Sequence, residues 1–305
     1  MTEARMLTVI SSEYDGMILR EYLRNVLRLS RAELTELKKR EDGIMLNGVR
    51  VTVRAILKTG DELVLSRDDI ESSEGVAPVE LPLEILYEDD DVIALNKPPF
   101  MPTHPSHEHQ SDTLANALAY YFESKGVPFV FRAVNRLDRD TSGVVLVAKN
   151  KNSAFVLAKQ IAEFKVTKKY IAIVKGEILS SGTVEGNIRR IEDGKMRRGV
   201  FPDGQYALTE YEVLGVKSGL SALLVSPKTG RTHQIRVHLS HIGHPILGDT
   251  LYGDESGSSL ISRQALHAYS LTFSLPSSNE IITVTAPLPS DMASIGVYEQ
   301  DKIFS

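Results

Sequence analysis

The sequence predicts an α+β protein in which a large, mainly antiparallel sheet follows a small α/β module. Three observations carry this. Beyond residue 83, strand-like segments outnumber helical ones, and many are joined by short turns rather than long crossovers. The first 66 residues hold two short amphipathic helices and an Asn-Gly hairpin. Residues 67–82 collect acids, serines, a glycine and two prolines, the composition of an exposed linker. The expected division is therefore 1–66, a linker over 67–82, and 83–305.

Within 17–28, Leu19, Leu23, Val26 and Leu27 share one helical face, while Arg20, Arg24 and Arg28 line another. Ser30 with Glu33 reads as a capping box that opens a second helix. Leu34 and Leu37 then point inward, and Lys38, Lys39 and Arg40 close the helix, where cations suit its dipole. Residues 43–51 read as a hairpin turning at Asn47-Gly48, and Gly60-Asp61 turns into a strand over 62–65. Such basic runs are most often a solvated helix face; here they can also form one phosphate-facing patch. Over 15–65 the layout resembles the S-four-type RNA-binding domain shared by a small-subunit ribosomal protein and bacterial tyrosyl-tRNA synthetases.

In the larger part, 85–87 and 92–97 read as a hairpin about the acidic turn 88–91, ended by Pro98-Pro99. Helices are expected over 113–122 and 153–164, the second with Phe155, Leu157, Ile161 and Phe164 as its apolar positions. Strands are expected over 144–149, 169–174, 206–214, 221–225 and 281–286. The segment 231–238 also alternates as a strand, with Arg231, His233 and Ile235 on one face and Gln234, Arg236 and His238 on the other.

The absence of cysteine excludes disulfides, thiolate metal sites and cysteine nucleophiles, and fits a reducing cytosol. The N-terminus lacks a basic region followed by an apolar one, and no apolar run approaches the ~20 residues needed to cross a bilayer. A cytoplasmic location and no membrane partner are expected. The net charge of -5 argues at first against a nucleic-acid partner. Its distribution reverses that: residues 61–91 hold 1 Lys/Arg against 12 Asp/Glu, whereas 11–60 hold 10 against 7, and 92–305 hold 23 against 20. The acidity is one segment between two mildly basic ones.

Three segments carry chemistry. The loop 134–143 sets Arg136, Asp138, Arg139 and Asp140 ahead of an apolar, β-branched strand. Asp140 before Thr141-Ser142-Gly143 reads as Asx-turn chemistry. Asp138, taken alone, fits a surface ion pair, and beside a buried strand it needs a cation or several N–H donors. In Lys168-Lys169-Tyr170, the aromatic beside lysines is either a stacking platform for a base or a packed core tyrosine. In 228–245, His233, His238, His241 and His244 suggest a metal, but no thiolate assists, the only nearby acid is Asp249, and no metal site is expected. Arg236 on a rigid element suits the fixing of a carboxylate.

Together the three segments resemble the RluA-type pseudouridine synthases over about 83–290. The family loop is His-Arg-Leu-Asp, two variable residues, then Thr/Ser-Ser/Thr-Gly; here it is Asn135-Arg136-Leu137-Asp138-Arg139-Asp140-Thr141-Ser142-Gly143. Lys168-Lys169-Tyr170 matches the family's Lys-x-Tyr, and 230–238 match its Gly-Arg-Thr-His-Gln-Ile/Leu-Arg-x-His. The resemblance implies the pseudouridine synthase fold, with an S-four-type domain ahead of it, and isomerisation of uridine in structured RNA. Ribosomal RNA is the first substrate and transfer RNA the second. It implies no cofactor and no metal, and nothing demands more than a monomer. Carried over, Asp138 is the essential carboxylate, Arg236 its ion-pair partner, and Tyr170 the residue that stacks on the base and assists proton removal at C5. Ile235 is then the apolar floor of the pocket, and Arg136 fills the gap left by the flipped nucleotide. Arg231 and Asn135 are further substrate contacts, and Arg20, Arg24, Arg28, Lys38 and Lys39 meet phosphates. Asn135 departs from the family histidine, so target preference is expected to differ. The rival readings are a non-catalytic RNA-binding protein on the same fold, a glycoside hydrolase using Asp138 and Asp140, and a metal-dependent hydrolase built on the histidines.

Overall fold

The computed structural model describes residues 5–27, 29, 31–66, 76–192, 196–253 and 260–298. Arg28 and Ser30, and so the expected capping box, lie outside them, as does the linker stretch 67–75.

The first unit comprises β1 (Arg5–Val9), α1 (Leu19–Glu21), which runs into a π turn (Tyr22–Val26), α2 (Arg31–Lys39), β2 (Ile44–Leu46), β3 (Val49–Arg50) and β4 (Glu62–Ser66). Its antiparallel sheet has the order β1-β4-β2-β3. Asn47 and Gly48 both take positive φ, 51° and 76°, as a two-residue hairpin turn of matching twist requires. Leu19, Leu23, Leu34 and Leu37 are buried with Leu57, Leu63 and Leu65 in a core of this unit's own. Arg20, Arg24, Lys38 and Lys39 are exposed. Strand β1 is not among the elements the sequence predicts; Leu7 and Val9 on it are 61% and 59% exposed.

The second unit contains β5 (Ile85–Glu88), β6 (Val92–Lys97), α3 (Leu114–Ser124), β7 (Arg132–Ala133), β8 (Ser142–Ala148), α4 (Lys151–Ala162), β9 (Thr167–Lys175) and β10 (Gly182–Glu185). There follow the pair β11 (Ile188–Arg190) and β12 (Arg198–Val200), then β13 (Leu208–Lys217), β14 (Leu220–Pro227), α5 (Gln234–His241), β15 (Leu266–Ser274), β16 (Ile281–Thr285) and α6 (Ser290–Ala293). The large sheet runs β10-β13-β14-β9-β15-β8-β6-β5, with β16 on β15 and β7 on β8. Every pairing in it is antiparallel except β15 with β8, which is parallel over His267↔Ser142 and Ala268↔Gly143.

Strand β8 is buried along its whole length, and its alternation feeds two cores. Val145 and Val147 pack with Leu114, Leu118 and Phe122 of α3, whereas Val144 and Leu146 pack in the cluster that holds Leu157 of α4. Helix α4 starts earlier than the sequence suggests, capped by Asn150, which accepts the Ser153 N–H. Its inward stripe is therefore Ser153, Val156, Leu157 and Gln160. Phe155 and Phe164, expected inside, are 45% and 72% exposed, Phe164 standing beyond the helix end at φ 56°. The strand expected from 206 begins at Leu208.

The larger correction concerns 231–238. This segment is a turn over 231–233 that runs into helix α5, not a strand. Its residues Gln234, Ile235, Arg236, Val237, His238 and Leu239 are all buried, so Ile235, Val237 and Leu239 alternate in sequence without marking one face. His233 breaks the strand reading locally: at φ 56° it reverses the chain just ahead of the helix.

The loop between β7 and β8 is held almost residue by residue. Thr103 Oγ1 donates to the Leu137 carbonyl (3.1 Å). Lys97, fully buried at the end of β6, donates to the carbonyls of Pro98 (2.9 Å), Met101 (2.8 Å) and Arg139 (2.9 Å). Arg263, 2% exposed, forks onto Asp291 of α6 and donates to the Asp140 carbonyl (3.2 Å). Gly143, at φ 110°, lets β15 approach so closely that an added Cβ would sit 2.2 Å from the Ala268 carbonyl oxygen.

Three carbonyls match the three N–H groups of a lysine ammonium, while burial works against its charge and pulls the Lys97 pKa down to about 7 from 10.5. Lys97→Met is expected to cost about 3 kcal/mol in urea denaturation at pH 7, because three buried carbonyls lose their donor. An unfolded chain binds more protons at this lysine than the folded one between pH 7 and 10.5. The stability gap between the wild type and Lys97→Met is therefore expected to widen as pH rises through that window; a constant or shrinking gap contradicts the assignment.

Candidate active site

The clamped loop forms one wall of a cleft of about 750 Å³. Asp138 stands on this wall, Tyr170 on the adjoining β9, and His233, Ile235 and Arg236 on the opposite wall at the start of α5. The structure thus brings together residues far apart in sequence that the three motifs singled out.

Arg236 is the junction. Its Nη1 donates to Asp138 Oδ2 at 2.7 Å. Its Nε and Nη2 fork onto Asp249 Oδ2 and Oδ1 at 2.7 and 2.9 Å. The Arg236 side chain is 9% exposed, that of Asp249 0% and that of Asp138 30%. Burial works to lower the Arg236 pKa, but the hydrogen bonds and charges of Asp249, and then of Asp138, raise it above the ordinary arginine value. The guanidinium is thus a permanent cation shared by a buried carboxylate and one that faces the cleft. Asp249 is itself fixed, since its Oδ1 accepts the backbone N–H groups of Leu251 (3.0 Å) and Tyr252 (3.2 Å).

Tyr170 is half-buried, packed among the residues of two apolar clusters at the cleft. Burial first, and the charge of Asp138 second, push its phenol above the ordinary value, so it is neutral at pH 7. Ile235 is 6% exposed and lines the same cleft, as a floor should. Arg136 is exposed at the rim. Arg231 is exposed there too and donates through Nε to the Tyr206 carbonyl (3.0 Å). Lys168 lies in the cleft wall, where burial lowers its pKa.

Two expectations for the loop change. The Asp140 carboxylate does not close an Asx turn; it takes the Nε and Nη2 of Arg139 at 2.7 and 3.1 Å. Asn135 borders the cleft, but its amide is committed to β8: Nδ2 donates to the Val144 carbonyl (3.0 Å) and Oδ1 accepts the Leu146 N–H (2.8 Å). The histidines have separate duties. His238 meets Thr209 Oγ1 (2.9 Å) and the Gly186 carbonyl (3.1 Å), His244 meets the Lys175 carbonyl (2.9 Å), and His233 meets Tyr252 Oη (2.8 Å).

Sequence reasoning missed Lys97, Arg263 and Tyr252, weighed His233 only as a metal ligand, and noticed Asp249 only as a nearby acid. One signal was available: Lys97 ends an apolar run whose other side chains are almost all buried, and a lysine there needs partners.

A family model described as RNA pseudouridylate synthase matches residues 91–241. The uncharacterized RNA pseudouridine synthase YjbO of Bacillus subtilis is 39% identical over 280 residues, 92% of this chain and 98% of that protein. The ribosomal large subunit pseudouridine synthase D of Xanthomonas campestris is 37% identical over 277 residues, covering 86% of this chain and 82% of its own. Among solved structures, human RNA pseudouridylate synthase domain containing 1 superposes with a TM-score of 0.61 at 29% identity, over 73% of this chain and 93% of that one. Near-complete coverage of relatives at this identity, on a fold shared with a solved member, means that the chain belongs to the RNA pseudouridylate synthases, in the RluA-type branch its motifs resemble.

Proposed function

We propose that this enzyme isomerises specific uridines of ribosomal RNA to pseudouridine, with Asp138 as its catalytic carboxylate. The observation that carries the assignment is the Arg236–Asp138 contact of 2.7 Å, which holds a partly exposed carboxylate against a buried cation in the wall of a cleft with room for a nucleoside and its flanking backbone. Ribosomal RNA is put first because relatives such as the Xanthomonas campestris protein are named for it; transfer RNA is the second candidate.

The reaction breaks the C1′–N1 bond, turns the uracil, and joins C5 to C1′; C5 loses a proton and N1 gains one. Asp138 serves either by attacking the sugar or by abstracting a sugar proton, and both need a carboxylate placed beside the ribose. Tyr170, neutral at pH 7, stacks on the uracil. Its raised pKa makes a tyrosinate base unfavourable, so its part in C5 deprotonation is to hold the ring and offer its phenol as a hydrogen-bond partner. Arg136, exposed at the rim, takes the place of the flipped nucleotide, which leaves its stack at a cost of a few kcal/mol. Ile235 closes the floor, and Arg231 and Lys168 face the phosphates that flank the target.

The first unit is read as the S-four-type RNA-binding domain, with the linker 67–82 and the catalytic domain 83–305 after it. Arg20, Arg24, Lys38 and Lys39 supply its phosphate contacts, with Arg28 beyond the described residues. The reading needs only a single copy of the chain, and it places the enzyme in the cytoplasm, where ribosomal RNA is found in bacteria. Among the described residues no helix is long and apolar enough to cross a membrane.

Two outcomes are expected. Asp138→Asn lowers hydrogen release from C5-tritiated uridine in transcribed large-subunit ribosomal RNA by at least about 10²-fold, while filter binding to the same RNA persists; near wild-type release rules out the assignment. Changing Arg20, Arg24, Lys38 and Lys39 together to Gln makes the fall of log affinity with log salt shallower, by roughly 0.7–0.9 for each phosphate that is no longer neutralised. An unchanged slope removes those residues from the RNA path.

A further inference from the structure

Two donors converge on one oxygen of Asp138. Arg236 Nη1 lies 2.7 Å from Oδ2, and His233 Nε2 lies 3.8 Å from the same atom. Among the described residues nothing hydrogen-bonds to Oδ1. His233 is held for this position. Its side chain is 14% exposed, and its backbone, at φ 56° and ψ 18°, occupies the left-handed region. Such a conformation persists only where the surroundings impose it, and it clusters at functional sites.

The hydrogen bonds around the ring decide its tautomer. Tyr252 Oη accepts the Arg198 backbone N–H at 3.0 Å and stands 2.8 Å from His233 Nδ1. Nδ1 is the acceptor that the described residues offer the phenolic hydrogen. A neutral imidazole that accepts at Nδ1 carries its hydrogen on Nε2, the nitrogen that faces Asp138. Burial lowers the His233 pKa, against the pull of Asp138, and keeps the ring neutral at pH 7. Tyr252 supports both donors: its ring is edge-on to the imidazole, with centroids 5.6 Å apart, and lies 5.1 Å from the Arg236 guanidinium carbon.

We propose that His233, oriented by Tyr252, is a positioning residue for Asp138: its Nε2–H acts with Arg236 to hold Oδ2 against the cleft wall, and Oδ1 is thereby presented to the target nucleoside. The proposal rests on the reading of Asp138 as the catalytic carboxylate. At 3.8 Å the contact is a charge–dipole attraction rather than a hydrogen bond. It strengthens when bound RNA displaces water from the cleft and lowers the local dielectric. Because Tyr252 also caps Arg198, the same chain of contacts links the β11–β12 pair to the catalytic carboxylate.

Two substitutions separate positioning from support of the fold. In His233→Gln the amide N–H lies near the place of Nε2, so the donor toward Asp138 survives and the acceptor for Tyr252 is lost. In His233→Asn the carbonyl lies near the place of Nδ1, so the acceptor survives and the donor is lost. A left-handed backbone accepts Asn more readily than Gln. A purely structural role therefore ranks Asn above Gln in both melting temperature and activity. The proposal ranks activity the other way: on transcribed, C5-tritiated large-subunit ribosomal RNA, Gln keeps kcat within about threefold, Asn loses about tenfold or more, and KM stays unchanged in both. Asp138→Asn is assayed in parallel. Release by Asp138→Asn near the wild-type rate overturns the reading of Asp138 itself. With Asp138→Asn silent, an Asn variant as active as the Gln variant, or an equal loss in both, overturns the role of His233 alone.

Discussion

The site depends on one guanidinium that serves two carboxylates. Asp249 is fully buried and would be intolerable there as an unpaired charge; the fork from Nε and Nη2 of Arg236 meets it with two short hydrogen bonds. That fork fixes the plane of the guanidinium, and with the plane fixed Nη1 is the nitrogen that reaches Asp138. Its direction sets where Asp138 must stand. Three parts of the chain are tied by this arrangement: the loop before β8, the first turn of α5, and the turn after Gly248. A shift in any of them would lengthen at least one contact of 2.7 Å. Lysine could not substitute, since a single ammonium cannot present a planar fork and a third donor at fixed angles.

The loop that bears Asp138 meets this demand because its backbone has almost no freedom. Buried side chains grip the successive carbonyls of Arg139 and Asp140, Lys97 from β6 and Arg263 from the segment before β15. Leu137 is held on both sides by Thr103, and Thr141 Oγ1 accepts from Gln264. Such a loop would otherwise be costly, because buried carbonyls without donors are penalised heavily. Here the same donors that satisfy them also aim the Asp138 side chain. The parallel contact of β15 with β8 completes the arrangement, and it exists only because residue 143 has no Cβ. The Thr-Ser-Gly that ends the motif is thus a condition of sheet assembly as much as of the loop.

Much of this was legible in the sequence, and the parts that were not share a physical cause. Asp138, Tyr170, Arg236 and Ile235 lie in short local motifs whose resemblance to a family names them, and the fold brings all four to one cleft. The Asn47-Gly48 hairpin and α3 were found because turn residues and apolar period speak plainly there. Helix α5 was misread because burial on all sides erases the period that separates helix from strand. Phe155 faces solvent because the buried positions of α4 are Ser153, Val156, Leu157 and Gln160, a stripe in which two polar residues hide the apolar period. Lys97, Arg263 and Asp249 were not identified as supports because each acts through a partner distant in the chain, and a lone charge in a sequence does not announce its counter-ion.

Asn135 shows how such distance changes an interpretation. As a departure from the family histidine beside Arg136, it suggested altered recognition of the target. In the fold it faces a gap in the ladder of β8. Strand β15 pairs with that strand at Ser142 and Gly143, and β7 at Val147 and Ala148. The Leu146 carbonyl between them is taken by Val134 N–H, and the Val144 carbonyl and Leu146 N–H are taken by the two ends of the Asn135 amide. An amide is suited to this because it carries a donor and an acceptor on one planar group, much as a peptide unit does. The side chain thus stands in for the missing strand residue, and its polar atoms are turned to the sheet. Arg136, by contrast, is exposed and lines the cleft.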